Sequence, residues 1–179
     1  FMMENASGSQ VSIWESNSEF DILWGWHDGY QRLAEPAYHH RGFLFSKEYN
    51  FWLVADFLAG EGIHDIQQIW RTPNHLKQCV SKFGNSFYVE SENDLFWVAP
   101  VDQHSRVMEF GESSLSQGYG TSTSAAIAKY SVAKFHLPLL LKTVLYPQDR
   151  NSTFSIEDVI DIIENHNMFN KLMNHQLID

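Results

Sequence analysis

Polar residues that suit sugar or anion binding lie close together early in the chain. His27, Tyr30 and Arg32 come first, and His39 and Arg41 follow after a short gap. A Tyr ring stacks well on a sugar ring, and an Arg guanidinium can donate two parallel hydrogen bonds to a carboxylate or sulfate. We therefore predict that these five residues contact substrate. A purely structural use of the same side chains is the alternative.

The adjacent histidines His39 and His40 raise the question of a metal site. Neighbouring residues of a strand point to opposite faces, so this pair cannot chelate one ion together. A site would need one of them beside Asp56 or His64 from another strand, and the spacing matches no known metal motif. We predict no metal and no cofactor, with one His packed and the other solvated. Asp56, in an apolar run, is expected to pair with a donor such as Arg41.

A Gly/Ser/Thr-rich stretch around Tyr119 could also line a cleft. It lacks the Gly-Lys-Ser/Thr ending of a phosphate-binding loop, and no nucleophile-elbow sequence supports a Ser/His/Asp triad. Tyr119 is therefore the sixth predicted substrate contact, with a structural loop Tyr as the alternative. No residue is predicted to be catalytic.

The elements that position these residues have the pattern of β-strands. Phe20, Ile22, Trp24 and Trp26 alternate with other residues and would share one face, while the run 51–58 is apolar on both faces. Strands with no intervening helix predict an all-β fold, an antiparallel β-sandwich. A loop is predicted at 112–124, and Gly84-Asn85 predicts a hairpin turn. The predicted strands are 11–14, 20–27, 39–45, 51–58, 63–70, 78–83, 86–90, 95–100, 106–110, 125–135 and 139–146.

The hydrophobic period changes near the end of the chain. We predict a frayed lead-in at 1–9, a β-sandwich domain at 10–147, and a linker with a C-terminal α-helix at 148–179. Ser155 is the predicted N-cap of this helix, with Asp158 in the capping-box position, and 165–167 interrupts the pattern.

Composition excludes several classes of protein. The 179 residues carry a net charge of −10, which argues against a general nucleic-acid or anionic-membrane surface. The longest apolar run is too short to cross a bilayer, and a single cysteine excludes an internal disulfide. The chain opens on Phe1 without a signal peptide, so we expect it to be part of a longer polypeptide.

A series of short motifs resembles one known family. HDGYQRL at 27–33 is followed by Pro36, His39 and Arg41, and then by FWLVADFLAGEGIH at 51–64. SSLSQGYG at 113–120 and LPLLLKTVLYP at 137–147 follow later. Together, from about Gln10 to Pro147, they are similar to the C-terminal β-sandwich of the heparinase II/III-like polysaccharide lyases.

This resemblance implies a supersandwich-like fold and a parent reaction of β-elimination on a uronate-containing polysaccharide. It also implies an upstream α-helical toroid domain as partner, and it is compatible with a periplasmic or secreted parent. In the family, catalytic and metal-binding groups come from His-x-His-x-Asp-like, Asp-Gly and His-Asn segments at the start of the sandwich. This chain contains no His-x-His, and the resemblance begins downstream of those segments.

The sequence supports two alternative functions from different classes. In the first, the chain is the scaffold and one wall of the cleft of a lyase, and is not catalytic alone. The alternative is a non-catalytic carbohydrate-binding or interdomain interaction module. An interdomain packing unit would expose an apolar patch where its neighbour lies.

Overall fold

A computed structural model describes residues 7–83 and 85–174 of the chain. Within these residues the chain forms eleven strands and two short helices, which confirms the all-β class with C-terminal helical structure. The strands are β1 (Ser9–Ser16), β2 (Phe20–Tyr30), β3 (Ala37–Ser46), β4 (Phe51–Gly60), β5 (Ile63–Pro73), β6 (Lys77–Val80), β7 (Phe87–Glu90), β8 (Asp94–Pro100), β9 (Val107–Gly118), β10 (Thr121–His136) and β11 (Leu139–Asp149). The helices are α1 (Ile156–Asn165) and α2 (Met168–Asn174).

The strands form two antiparallel sheets. The large sheet has eight strands in the order β1-β2-β3-β4-β11-β8-β7-β6, and the small sheet has three in the order β5-β10-β9. Apolar side chains of β10 and β5 pack on β11, β8 and β7 to form the core between the sheets. The helices cover the opposite face of the large sheet, where they form a second core.

Strand β4 is buried on both faces, as its sequence predicts. Phe51, Leu53 and Ala55 pack toward the helices, and Asp56 meets the small sheet through Gln68. One cover of this strand is therefore helical rather than a second sheet. This central position explains why nearly every residue of 51–58 is apolar.

Strand β5 does not pair with the strand that precedes it. Only two residues separate β4 from β5, yet β5 crosses into the small sheet. Gly62 has a φ of 85°, and a Cβ at this position would lie 2.3 Å from the Glu35 carboxylate. The crossing therefore needs glycine here. Glu35 Oε2 accepts a hydrogen bond from the backbone N–H of Ile63, at 2.8 Å.

The loop predicted at 112–124 is wrong, because it is a β-hairpin. Ser124 pairs with Ser114 and Thr123 with Leu115, and the chain reverses beside Tyr119. Its Ser and Thr residues are mostly exposed. Because an exposed hairpin rich in Ser and Thr has the composition of a loop, its sequence predicted a loop. The predicted Gly84-Asn85 turn includes Gly84, which lies outside the described residues, and so does most of the predicted lead-in.

The C-terminal helical segment follows its sequence signals. Ser155 caps α1: its hydroxyl accepts from the Asp158 N–H at 3.2 Å, and the Asp158 carboxylate accepts from the Ser155 N–H at 2.7 Å. The predicted interruption separates α1 from α2, and Asn167 there has φ of 54°. Among the described residues, no helix is long and apolar enough to cross a membrane.

Candidate functional site

Strand register brings three of the predicted contacts onto one face. His27 of β2 lies opposite His39 of β3, and Arg41 of β3 lies opposite Asp56 of β4. Because alternate residues of a strand share a face, His39 and Arg41 point the same way, and His40 points the other way. His40 instead contacts the rings of Trp26 and Phe57. His39 therefore faces the side of Asp56 and His40 the opposite side, and both are half-buried, so the expectation of one packed and one solvated His is not met.

These side chains form a continuous hydrogen-bonded group, which we call the histidine–aspartate network: His27, His39, Arg41, Asp56 and Gln68. His27 Nε2 lies 3.0 Å from His39 Nδ1, and His39 Nε2 lies 2.6 Å from Asp56 Oδ1. Arg41 donates from Nε and Nη2 to the two oxygens of Asp56 at 2.6 and 3.0 Å. Gln68 of β5 donates to Asp56 Oδ2 at 2.7 Å and ties the small sheet to the large one.

The backbone of Gly29 fixes the tautomers of both histidines. The Gly29 N–H donates to His27 Nδ1 at 3.2 Å, so in neutral His27 the proton is on Nε2. That proton is donated to His39 Nδ1, and the His39 proton therefore sits on Nε2 and points at Asp56. All four ring nitrogens are engaged. Neither imidazole retains a free lone pair to act as a base or to bind a metal in this arrangement.

Asp56 is the buried charge of this group, with 2% of its surface exposed. Burial raises the pKa of a carboxyl, but the hydrogen bonds from His39 and Arg41 outweigh it and hold the pKa of Asp56 at about 2. Burial together with the nearby His39 lowers the pKa of His27. At neutral pH the Asp56 carboxylate is therefore ionised and faces the guanidinium of Arg41.

The polar contacts continue through Gln68 into the core between the sheets. Its Oε1 accepts from Arg106 Nη1 at 2.9 Å, from Thr143 at 3.3 Å and from the Trp70 indole at 3.2 Å. Arg106 is buried, pairs with Asp102 and lies 5.9 Å from the centre of the Tyr130 ring. Burial lowers the pKa of Arg106 to about 10.

Sequence reasoning missed this inner part of the network. Gln68 sits within an ordinary alternating strand, and Arg106 is the first residue of the predicted strand 106–110. Both are buried where the small sheet packs on the large one, and Arg106 donates to Gln68 there. No local sequence signal distinguishes them.

A cavity of about 160 Å³ opens beside the network, between the edge of β5 and strands β3 and β4. Tyr30 stands at its rim, 40% exposed, with its ring centre 5.2 Å from that of His27 and 6.5 Å from that of His39. Arg41 also faces the cavity and uses only Nε and Nη2 on Asp56. Among the described residues its Nη1 has no hydrogen-bond acceptor. A Tyr ring and an outward guanidinium nitrogen are therefore the groups offered to a ligand.

The six predicted contacts do not all meet. His27, Tyr30, His39 and Arg41 form one cluster, and Arg32 lies exposed in the turn that follows β2. Tyr119 is fully exposed at the far end of β10, a 16-residue strand that spans roughly 50 Å. Any ligand that touches Tyr119 would therefore need a second site or great length. Among the described residues, no three His, Cys, Asp or Glu side chains are grouped as metal ligands.

The fold and the site define a β-sandwich domain stabilised by a buried polar network. A family model described as "Heparinase II/III-like, C-terminal" matches residues 3–160, and the chain belongs to this family. It is therefore a heparinase II/III-like C-terminal domain with a β-sandwich fold, as its motifs indicated. No curated protein matches the chain.

Solved structures with this fold include two proteins that align with most of this chain. Heparan sulfate lyase HepC from Pedobacter heparinus aligns with a TM-score of 0.70 and 17% identity, over 81% of this chain and 22% of that one. A heparinase III, the BT4657 gene product, aligns with a TM-score of 0.65 and 15% identity, over 83% of this chain and 24% of that one. The chain thus spans about a quarter or less of each of these two proteins.

Proposed function

We propose that this chain is the scaffold and one wall of the glycan cleft in a lyase that cleaves a uronate-containing polysaccharide by β-elimination. The observation that carries the proposal is the fully engaged histidine–aspartate network with Tyr30 and Arg41 facing outward from it. The similar solved structures include heparan sulfate lyase HepC, which supports an acidic glycan as substrate.

β-Elimination on a uronate removes the proton at C5, beside the carboxylate. It needs a base, an acid for the leaving oxygen, and donors that neutralise the developing charge on the carboxylate. The imidazoles of His27 and His39 both donate and accept within the network, so the base comes from elsewhere in the proposed parent. We assign that role to the upstream α-helical domain and to sandwich segments that precede this region.

We assign to this chain the role of positioning the glycan. Arg41 is held by two hydrogen bonds to a buried carboxylate, so its free Nη1 has a fixed direction. Tyr30 rests on His27 and presents its ring toward solvent. His27, Tyr30, Arg32, His39 and Arg41 form the proposed contact surface, and Tyr119 remains a separate proposed contact at the other end of the domain.

The first test separates scaffold from enzyme. The 179-residue chain is incubated with heparan sulfate, and unsaturated uronate product is followed by its ultraviolet absorbance. We expect no product from the chain alone. Turnover by the chain that is absent from a negative-control preparation would contradict the scaffold role.

The second test asks whether the cluster touches glycan. Tyr30→Ala and Tyr38→Ala are matched variants, since the two rings are 40% and 41% exposed and lie on different faces. Titration with a heparan sulfate oligosaccharide should show weaker binding for Tyr30→Ala only. Equal binding by both variants would show that the cluster does not line the glycan cleft. If the polypeptide at its natural length binds heparan sulfate but shows no lyase activity, the alternative function of a carbohydrate-binding module is favoured instead.

A further inference from the structure

A polar pocket lies at the end of β2 and β3 that is remote from the histidine–aspartate network. It has a volume of about 240 Å³ and forms where the start of β2, the turn between β3 and β4, and the junction of α1 and α2 meet. We call it the turn pocket. Ser46, which lines it, follows His39 along β3 by roughly 23 Å at about 3.3 Å per residue. The turn pocket is therefore separate from the proposed glycan cleft.

Backbone hydrogen bonds hold the strand side of the turn pocket. The Lys47 N–H donates to the Glu19 carbonyl at 2.9 Å, which ties the turn to the start of β2. The Asn50 N–H donates to the Ser46 carbonyl at 2.9 Å and closes the turn. Asn50 has a φ of 53°, a left-handed conformation that Asn adopts more readily than most residues. This side of the pocket is therefore formed before a ligand binds.

Hydrogen-bonding groups of both kinds line the turn pocket. Glu19 and Glu48 offer carboxylates as acceptors, while His166 and Lys171 offer an imidazole and an ammonium. In the described part of the chain, the Glu19 carboxylate and the Lys171 ammonium have no hydrogen bond or ion pair. Both side chains are exposed. Each can therefore bind a ligand without breaking an existing contact.

The remaining lining of the turn pocket is mostly apolar. Leu44 and Met168 are buried beneath it, and Phe20 lies at its side. Tyr49 adds an aromatic ring, and its hydroxyl is hydrogen-bonded to the Glu48 carboxylate. A sugar residue has the matching surface, since its C–H groups pack on apolar side chains and rings while its hydroxyls bond at the edge.

The charges of the turn pocket argue against other small ligands. An anion would meet two carboxylates, and a metal cation would meet the ammonium of Lys171. No group of three metal-ligating side chains is formed here by the described residues. Hydroxyl groups both donate and accept, so they can use the carboxylates and the ammonium together.

The size of the turn pocket limits the ligand further. Its volume of about 240 Å³ equals roughly eight waters at about 30 Å³ each. Sites for drug-sized ligands occupy about 300–1,000 Å³, so this pocket suits a smaller molecule. One sugar residue fits this size better than an oligosaccharide.

We propose that the turn pocket binds one neutral sugar residue. Glu19 and Glu48 accept hydrogen bonds from its hydroxyls, Lys171 donates to them, and the Tyr49 ring contacts its C–H groups. The proposal goes beyond the lyase function and does not depend on it, because the two sites lie at opposite ends of β3 and this ligand carries no carboxylate.

The first test compares a neutral sugar with its uronate. Nitrogen-15-labelled protein is titrated with glucose and with glucuronate, and amide chemical shifts are followed. Glucose should shift the signals of Ser46, Tyr49 and Lys171. Glucuronate should bind about fivefold more weakly, because its carboxylate faces two others. In Glu19→Gln this difference should shrink, since the amide does not repel the carboxylate.

The second test compares Lys171→Ala with Lys82→Ala. Both lysines are exposed, and Lys82 lies between β6 and β7 at the other edge of the large sheet. Lys171→Ala should weaken glucose binding about tenfold, as expected for loss of a charged donor, and Lys82→Ala should leave it unchanged. Thermal melts of both variants should match that of the unmodified protein, which separates loss of binding from loss of folding.

Several results would overturn the proposal. Glucose might be replaced as ligand by glucuronate at equal or higher affinity, or equal weakening might follow both lysine substitutions; either outcome excludes the assigned contacts. Absence of shifts at Ser46, Tyr49 and Lys171 with glucose would exclude a sugar site. If calcium rather than glucose shifted these signals, the turn pocket would be a cation site instead.

Discussion

His39 and Asp56 are joined by a hydrogen bond of 2.6 Å across two neighbouring strands, and Arg41 contacts the same carboxylate oxygen at 2.6 Å. Asp56 thus accepts from His39, Arg41 and Gln68 in a nearly water-free position. Three strands and both sheets meet at this one side chain. Its removal should affect stability first and ligand contact second.

Asp56→Ala should lower the free energy of unfolding by about 3–5 kcal/mol, because it leaves buried donors without an acceptor. Urea denaturation followed by tryptophan fluorescence measures this. Asp21→Ala is the control, since Asp21 pairs with Lys47 at the surface and its loss should cost about 1 kcal/mol or less. Similar losses for both variants would show that the network does not stabilise the fold.

Acid should remove the contribution of Asp56 in a defined range. The pKa of Asp56 is about 2 in the folded state against an ordinary value of 3.8, so its ionised form favours the folded state. The stabilisation is complete above about pH 5 and is lost as pH falls through 3.8 toward 2, with a total near 2 kcal/mol.

Denaturation at pH 5 and pH 2.5 measures the change, with Asp158→Asn as the comparison. Asp158 is a surface carboxyl whose pKa is lowered by hydrogen bonds from Ser155, so it accounts for part of the same slope. Most of the acid loss should persist in Asp158→Asn. If it vanished there, Asp56 would not be its source.

The histidine tautomers can be observed directly. Nitrogen-15 NMR should show the proton of both His27 and His39 on Nε2 at neutral pH, because the Gly29 N–H starts the series of donors. The pKa of His27 is lowered, so its neutral form should persist below pH 6.5, and stability should fall as pH drops below that value. A proton on Nδ1 of His27 would refute the arrangement. Exposed His75 serves as the internal reference.

Gly42→Ala should destabilise the fold by about 1–3 kcal/mol through overpacking. A Cβ at this position would lie 2.5 Å from the Trp24 ring, which is buried and donates from its indole N–H to Leu172 O at 2.9 Å. Gly111→Ala is the matched control, because a Cβ there meets only Ile127 at 3.5 Å. Thermal melts of both variants decide the matter, and equal midpoints would contradict the close packing of Trp24.

Ser155→Ala should cost about 1 kcal/mol through loss of the N-cap of α1. Ser114→Ala, on the exposed ribbon of β9, should change stability little. Urea titration of the two variants measures the difference. Indistinguishable titrations would mean that the capping box contributes nothing in the folded domain.

Much of the fold could be predicted because strand periodicity is local. Alternation in 20–27 and the apolar run at 51–58 predict β2 and β4, and Ser155 with Asp158 predicts the start of α1. The partnership of Asp56 with Arg41 was predictable as well, since a buried carboxylate needs a donor. Each of these rests on neighbouring residues or on one strong energetic requirement.

The remaining features depend on which sheet a strand joins. The crossing of β5 turns an ordinary Gln68 into the link between Asp56 and Arg106, and alternation alone does not indicate such a crossing. Register likewise decides that His27 meets His39 and that Tyr119 lies far from both. These are long-range properties that a single sequence does not reveal.

The burial of β4 on both faces has a consequence for how the domain unfolds. The helical layer and the small sheet each press on opposite sides of the same backbone, so neither can detach without exposing that strand to water. Loss of either layer therefore weakens the other, and the helices should melt together with the sheets in a single cooperative transition.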